Sequence, residues 1–469
     1  MNTIKIYNVP EEIPRTNKYN IKVRTDKNDL WKNIDTYEVT VDMHEVRSAS
    51  MAYFDFCGSA EIEIEVDISY IYKVDIRPVS KNIDFRFDSK KIYITLQKPE
   101  NLSIEVNSDR FHNLHLFAGQ IMEYMPCKDN TLIMTNKIGD VSFYEQIAAM
   151  PDGRTLIFEE GIYYFTEILF KVQSNTNIIL KGGAVIVGGF VFENCENVSI
   201  TGRGVIYQAD FKWYTSINAV RISHSKNIKI DGVTIINPPH YSVYIGGSDN
   251  ISINNVKIFS SSKWTDGIDM MSSRNILIDN CFIRTSDDCI AIYGRRWGYN
   301  GDVHDIVVKN TSLWADVAHP TIIGTHGDYE NNGNIIENIK FENIDILEHH
   351  EYQANYLGCL AINVGDKNTV RNVEYKNIRI EQFEHGKVFD FRVFCNKDYN
   401  PAPGSGIENI TLDNISYNGN GAEKSEICGY DSNRMVKNVK IRSLRINGQL
   451  LQGDDMKINE YTDNIVFEE

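Results

Sequence analysis

From about residue 175 to the C-terminus, one arrangement of apolar and polar positions keeps returning: Asn, a β-branched residue, a variable position, an apolar residue, a variable position, then a turn former. It reads NIILKG at 177, NVSITG at 197, NIKIDG at 227, NISINN at 250 and NILIDN at 275, then DIVVKN at 305, NIKFEN at 338, NVEYKN at 372, NITLDN at 409, NVKIRS at 438 and NIVFEE at 464. Apolar side chains two positions apart share one face of a strand, and Asn and Gly tolerate the backbone that closes one. Each phrase is therefore predicted to be a short strand ending in a turn. The steps range from 20 residues (177 to 197) to 37 (372 to 409), too uneven for a rigid helical repeat. Stacked coils of parallel strands accept such steps, because variable turns absorb the difference while the apolar residues form one column. The predicted fold class is all-β, a right-handed parallel β-helix. The Asn that opens nearly every phrase is expected to be a turn residue or a rung of an amide ladder rather than a ligand.

Residues 1–125 alternate differently. KYNIKVRT, TYEVTVDM, AEIEIEVD, IYKVDIRP, IDFRFDS, KIYITLQ and LSIEVNS are strand-like runs without the coil phrase, which predicts an N-terminal antiparallel β-sandwich. Residues 126–145 are expected to be a linker, with KDNTLIMTNKIGD crossing to a β-helix over 146–469. LIFEEGIYYFTEILF is expected to cover the open end of the column. The sandwich is the expected surface for any oligomer.

Composition narrows the partners. Against 48 Lys and Arg stand 64 Asp and Glu, a formal charge of −16, which excludes nucleic acid and anionic membranes as main partners. No run of 18 apolar residues suggests a membrane span, and MNTIKIYNVPEEIPR lacks the basic-then-apolar order of an export signal. The expectation is a soluble cytoplasmic protein, or a secreted one if a leader has been removed. Eight cysteines (57, 127, 195, 281, 289, 359, 395 and 428) lie scattered without zinc-site spacing, so free buried thiols and no metal or cofactor are expected. Cys289, flanked by Ile290 and Ile292, is read as a small core residue.

The candidate chemistry lies in WTDGIDMMSSRNILIDNCFIRTSDDCIAIYG, residues 264–294. Asp287 follows Asp266 by 21 residues, about one coil, which predicts equivalent places on neighbouring rungs roughly 5 Å apart. Asp288 joins them only if the chain bends, since neighbours on a straight strand face opposite ways. Clustered carboxylates repel, so at least one keeps its proton beside ionised partners. One acid to protonate a leaving oxygen and carboxylates to hold water are the equipment for cleaving a glycosidic bond. Asp269 is read as a turn or supporting residue. A β-helical polysaccharide lyase or epimerase, which needs a base beside a uronate, and a non-catalytic glycan-binding solenoid are the alternatives.

At these residues the chain resembles the polygalacturonase-like glycosidases, glycoside hydrolase family 28 and the related family 49 of dextranases and isopullulanase. The family 28 pattern is Asn-Thr-Asp-Gly, then Asp-Asp, Gly-His-Gly and Arg-Ile-Lys. WTDGID carries Trp264 in the Asn position, SDDCIAI matches closely, and AHPTIIG places His319 between Ala318 and Pro320 instead of glycines. The resemblance covers about residues 146–469, and a leading sandwich is more like family 49. It implies an inverting hydrolase with Asp287 as general acid and Asp266 and Asp288 holding the attacking water. Inversion in turn implies about 6.5–9.5 Å between acid and acceptor. CLAINVG, where Arg-Ile-Lys would fall, has no basic residue; with the acidic net charge this favours a neutral sugar chain. The alternative is an oligogalacturonide gripped by Arg295 or Arg296 in YGRRWGYNGD. Trp297 and Tyr299 there are candidate stacking platforms, with His240 and Tyr241 on the opposite rim. His319, His326 (with Glu330) and His349 (among Glu348, His350 and Glu351) are candidates for lining subsites; the His349–His350 pair has no spacing that suggests a metal.

Overall fold

The computed structural model describes residues 2–123, 130–134 and 141–469. The coil phrases form one wall of a right-handed parallel β-helix whose coils each contribute to three parallel ladders. Along that wall Ile200, Ile230, Ile253, Ile278, Val308, Phe341, Tyr375, Leu412 and Ile441 stand in register on consecutive coils, all buried in one continuous core. Phe341 and Tyr375 stack with centroids 4.8 Å apart and planes within 8°. Stacking in register is what makes the irregular steps tolerable: every coil buries its own column residue, whatever its turn length.

The phrase-opening Asn residues are both of the things expected of them. Asn197, Asn227, Asn250, Asn275, Asn338, Asn372, Asn409, Asn438 and Asn464 all have positive φ, between 54° and 60°, the left-handed region that Asn tolerates best after Gly. Their amides also bond from rung to rung, Asn372 to Asn338 at 3.2 Å and Asn338 to Asp305 at 3.1 Å. The first rung is Asn175 rather than Asn177, because Ile178 pairs with Ile200. An Asn338→Ala variant should lose about 1–2 kcal/mol, chiefly for an alanine forced left-handed, and Asn338→Gly less. Urea unfolding of the two variants checks this; equal losses would assign the cost to the ladder bonds instead.

The N-terminal sandwich has a six-stranded sheet and a five-stranded sheet around a core of its own. Two of its strands, Arg47–Cys57 and Asp109–Gln120, escape the alternation reading and pair in parallel within an otherwise antiparallel sheet. The reason is burial on both faces. Ala52, Phe54 and Phe56 enter the sandwich core, while Ala49, Met51 and Tyr53 press on the solenoid against Tyr207, Ile236, Phe259 and Trp314. The outer face of that sheet is thus taken up within the chain. Arg284 lies in this interface with no exposed surface; it forks onto Asp316 at 2.8 and 2.9 Å and donates to Asn113 and to the Arg110 carbonyl. Arg203, bonded to Asp55, ties a second point.

Strand Thr131–Met134 lies inside the stretch expected to be a linker and pairs with Arg154–Phe158 as the start of the solenoid; residues 126–129 and 135–140 lie outside the described residues. LIFEEGIYYFTEILF is not a cover: Gly161–Val172 is itself a coil strand, paired with Ala184–Glu193. Helix Val141–Ala149 packs at this end, with Ile147 in the column and Tyr144 against Phe170. Cys195, Cys281, Cys289 and Cys359 are buried free thiols, whereas Cys57 is exposed and Cys395 and Cys428 are half-buried; Cys127 lies outside the described residues. Among the described residues no helix is long and apolar enough to cross a membrane.

Candidate active site

The third ladder of the solenoid carries the carboxylates. Val243, Ile268, Ile290 and Thr321 pair in register on four consecutive coils. Two positions earlier on each coil stand Tyr241, Asp266, Asp288 and His319, and the backbone confirms the alignment: Ser242 N–H donates to the Asp266 carbonyl, Gly267 to Asp288, and Cys289 to His319. The rung partner of Asp266 is therefore Asp288 and not Asp287, a correction of one residue to the spacing argument. Asp287 reaches the cleft from the bend that precedes strand Ile290–Tyr293, and it is the least buried of the three. One oxygen from each of Asp266, Asp287 and Asp288 falls within 4.8 Å of the others.

Hydrogen bonds distinguish the three. Asp287 accepts from the Trp264 amide at 2.7 Å and from the Asp288 amide at 3.1 Å. Asp288 is ion-paired to His319, whose Nδ1 lies 2.7 Å from its Oδ1, and accepts the Tyr293 hydroxyl at 3.3 Å. The other His319 nitrogen faces the Tyr356 carbonyl at 2.5 Å. An acceptor stands at each nitrogen: burial, the largest single influence, opposes the charge of the ring, but Asp288, Glu351 and the Tyr356 carbonyl together lift the imidazole to about 9. Asp266 keeps one oxygen with no protein partner among the described residues.

Burial first, then the charge of Asp288, pushes the Asp287 carboxyl up to about 7, against the two amides that favour its ionised form. Asp266 and Asp269 are raised well above the usual carboxylate range by burial and by their acidic neighbours. Asp269 has no exposed surface and sits between Tyr244 and Ala291 on the ladder, its carboxyl beside that of Asp266.

The cleft above the aspartates holds about 310 Å³. Of the residues singled out in the sequence, Asp266, Asp287, Asp288, His319, Tyr241, Arg296, His326 and Glu351 line it. Arg295 does not. Arg295–Arg296 and Tyr299–Asn300 form a small hairpin turning at Trp297 and Gly298, both with positive φ, and adjacent strand residues face opposite ways. Arg295 accordingly pairs with Asp328 and Glu330 outside the cleft. Arg296 turns in, bonded to Tyr241, its Nε without a partner among the described residues. His326 donates Nδ1 to the Tyr399 carbonyl at 3.0 Å, and burial together with Arg296 pushes it down to about 3, so it is neutral.

Two further corrections follow. Tyr299 is packed between His224 and Tyr244 with its hydroxyl 2.5 Å from Ser223, away from the cleft. His349 is fully buried below His319, its nitrogens 3.0 Å from the Ala318 and Leu357 carbonyls. His240 and Trp297, with rings 5.7 Å apart, are not among the residues lining the cleft, but both pack against Trp264, which is. Residues not foreseen also line the cleft, among them Lys263, Tyr293, Tyr356, Tyr399 and, from the sandwich, Met43. Tyr293 was open to strand logic, since Ile290 and Ile292 point inward and place it outward. Met43 carries no local signal; its turn is held where Thr40 meets Ser261 at 2.7 Å and the His44 ring packs on His350 and Tyr352.

Comparison with known proteins gives the fold and the family. The fold is shared with Dex49A from Penicillium minioluteum, at TM-score 0.71 and 14% identity over 97% of this chain and 95% of that one. It is shared at lower similarity with the family 28 exopolygalacturonase of Yersinia enterocolitica, at TM-score 0.53 and 12% identity over 92% and 99%. A curated relative, "Probable exopolygalacturonase B" of Aspergillus terreus, is 26% identical over 312 residues, 61% of this chain and 66% of that protein, so the chain spans just under two thirds of that relative's length. The profile of "Glycosyl hydrolases family 28" matches residues 164–464, the stretch that holds the aspartate triad and His319. The chain belongs to glycosyl hydrolases family 28, a family of glycosidases.

Proposed function

We propose that the protein hydrolyses the glycosidic bonds of oligogalacturonides, with Asp287 as general acid and Asp266 and Asp288 positioning water, and with inversion at the anomeric carbon. The observation that carries the choice of sugar is Arg296. It brings a guanidinium into the cleft beside Asp266, and it is not ion-paired to a carboxylate among the described residues, whereas Arg295 is paired twice. A uronate carboxylate entering among aspartates needs such a cation to offset repulsion and desolvation. The neutral-sugar expectation rested on the bare CLAINVG segment, and Arg296 supplies the charge from a different coil. Polygalacturonase names among the relatives point the same way.

His319 holds Asp288 in place, and the free oxygen of Asp266 is a natural acceptor for the attacking water. Inversion follows from the family resemblance; the separation of the carboxyl oxygens, within 4.8 Å, is shorter than the roughly 6.5–9.5 Å common to inverting pairs. Inversion requires the water to attack the face opposite the leaving oxygen that Asp287 protonates.

The test is a panel of oligogalacturonides, α-linked gluco-oligosaccharides and neutral galactosides assayed together. New reducing ends from the galacturonides alone, without an ultraviolet-absorbing unsaturated product, are expected. Cleavage confined to a neutral series would overturn the substrate, an unsaturated product the hydrolysis, and a first-formed anomer of unchanged configuration by NMR the inversion.

A further inference from the structure

Beside Asp287 the surface carries a group of aromatic rings that the catalytic chemistry does not use. Trp213, Tyr214, Trp264 and Trp297 are all large, exposed side chains, between 37% and 54% accessible. They are contiguous: centroids lie 5.5 Å apart for Trp213 and Tyr214, 4.8 Å for Tyr214 and Trp264, and 6.2 Å for Trp264 and Trp297. Three of the five tryptophans of the chain thus stand on one patch. It is continuous with the cleft, since Trp264 lines it and binds Asp287 through its backbone amide.

The backbone sharpens the point. Tyr214, Trp264 and Trp297 have φ of 66°, 60° and 50°. Elsewhere in this chain the left-handed positions fall mainly to Asn, with Asp and Ser and singly Ile168, His224, Ala318 and Lys367. A bulky side chain there is strained, and such strain gathers at sites where the position of a group matters. Three strained aromatics in one patch, none of them needed for a core, point to rings held outward for a ligand. Lys263 adds a cation at the junction of patch and cleft, its carbonyl fixed by the Trp213 indole N–H at 2.7 Å.

Building on the oligogalacturonide reading, we propose that Trp213, Tyr214, Trp264 and Trp297 bind the sugar residues of the chain beyond the two flanking the scissile bond. The C–H faces of the pyranoses stack on the rings, and Lys263 meets a carboxylate of the chain. A disaccharide reaches only the cleft, and a longer chain reaches the patch. The platform therefore sets the preference of the enzyme for substrate length.

The experiment compares kcat/KM for digalacturonate and pentagalacturonate in the full chain and in the Trp213→Ala, Tyr214→Ala and Trp213→Phe variants. The penta-to-di ratio is expected to fall about fivefold in each alanine variant through a higher KM for the longer chain. Trp213→Phe, which keeps a ring but loses the bond to Lys263, should retain most of the ratio. An unchanged ratio, or equal losses on both substrates, would overturn the platform. So would an unchanged ratio accompanied by a shift in oligomeric state by light scattering, which would mark the patch as a self-association surface. Wild-type inactivity on both galacturonides would refute the substrate reading instead, and the same ratio measured on the neutral series that is cleaved would then decide the platform separately.

Discussion

Substituting Asn for Asp287 is expected to lower kcat by about 10²–10⁴-fold, because an amide cannot deliver the proton that a sugar leaving oxygen requires. The amide oxygen can still accept from the Trp264 backbone, so the bend survives. Wild-type activity should fall as pH rises through about 7, the value to which burial and the charge of Asp288 bring this carboxyl, since the donor works only while protonated. In Asp287→Asn the residual rate should lose that alkaline limb. Stability supplies an independent reading with a definite sign. A carboxyl whose folded pKa is raised destabilises the fold as it ionises, so the penalty is absent below about pH 4 and complete above about pH 7. The variant should unfold at a higher temperature than wild type at pH 8 and near the same temperature at pH 4. Retention of more than a tenth of wild-type turnover would remove Asp287 from the acid's role.

Arg296→Gln should cost about 10²-fold in kcat/KM on an oligogalacturonide, mostly as a raised KM, by deleting a charge-assisted contact in a desolvated cleft. Wild-type kcat/KM should decline with added salt, and the variant should decline less. A second effect has an independent cause. Arg296 draws down the pKa of both Asp266 and Asp269, so its removal lets them hold their protons to higher pH. The acid limb of the pH profile should move upward in the variant. A variant with wild-type KM and an unmoved acid limb would show that Arg296 neither meets the substrate nor tunes the carboxylates.

The part of the site that sequence reasoning recovered was tied to the coil period or, for His319, to the family resemblance, and the part it missed was tied to neither. Asp266, Asp288 and His319 recur at intervals near one coil, and parallel register turns that interval into proximity. The one-residue error at Asp287 came from assuming that equal spacing means equal rung position, when a bend before Ile290 puts the adjacent residue into the same cleft. Arg295 and Arg296 could not be separated without the hairpin that alternates them. His349 was expected to line a subsite, yet its ring nitrogens face backbone carbonyls in the interior.

By itself the sequence determined the all-β class, the stacked coils and the clustering of aspartates on neighbouring coils. Each of these rests on local physics: side-chain alternation, left-handed Asn turns and a repeat whose apolar residues must share one column. Tertiary structure alone decided that strands Arg47–Cys57 and Asp109–Gln120 exist as double-faced strands, because their apolar runs take meaning only from the solenoid pressed against them. It also decided that Met43 of the sandwich reaches the cleft, that Arg296 rather than Arg295 faces it, and that Trp213 joins Trp264 and Trp297 in one patch. These are meetings of residues far apart in the chain or facing apart on one hairpin, and they depend on how separate elements pack rather than on any local pattern.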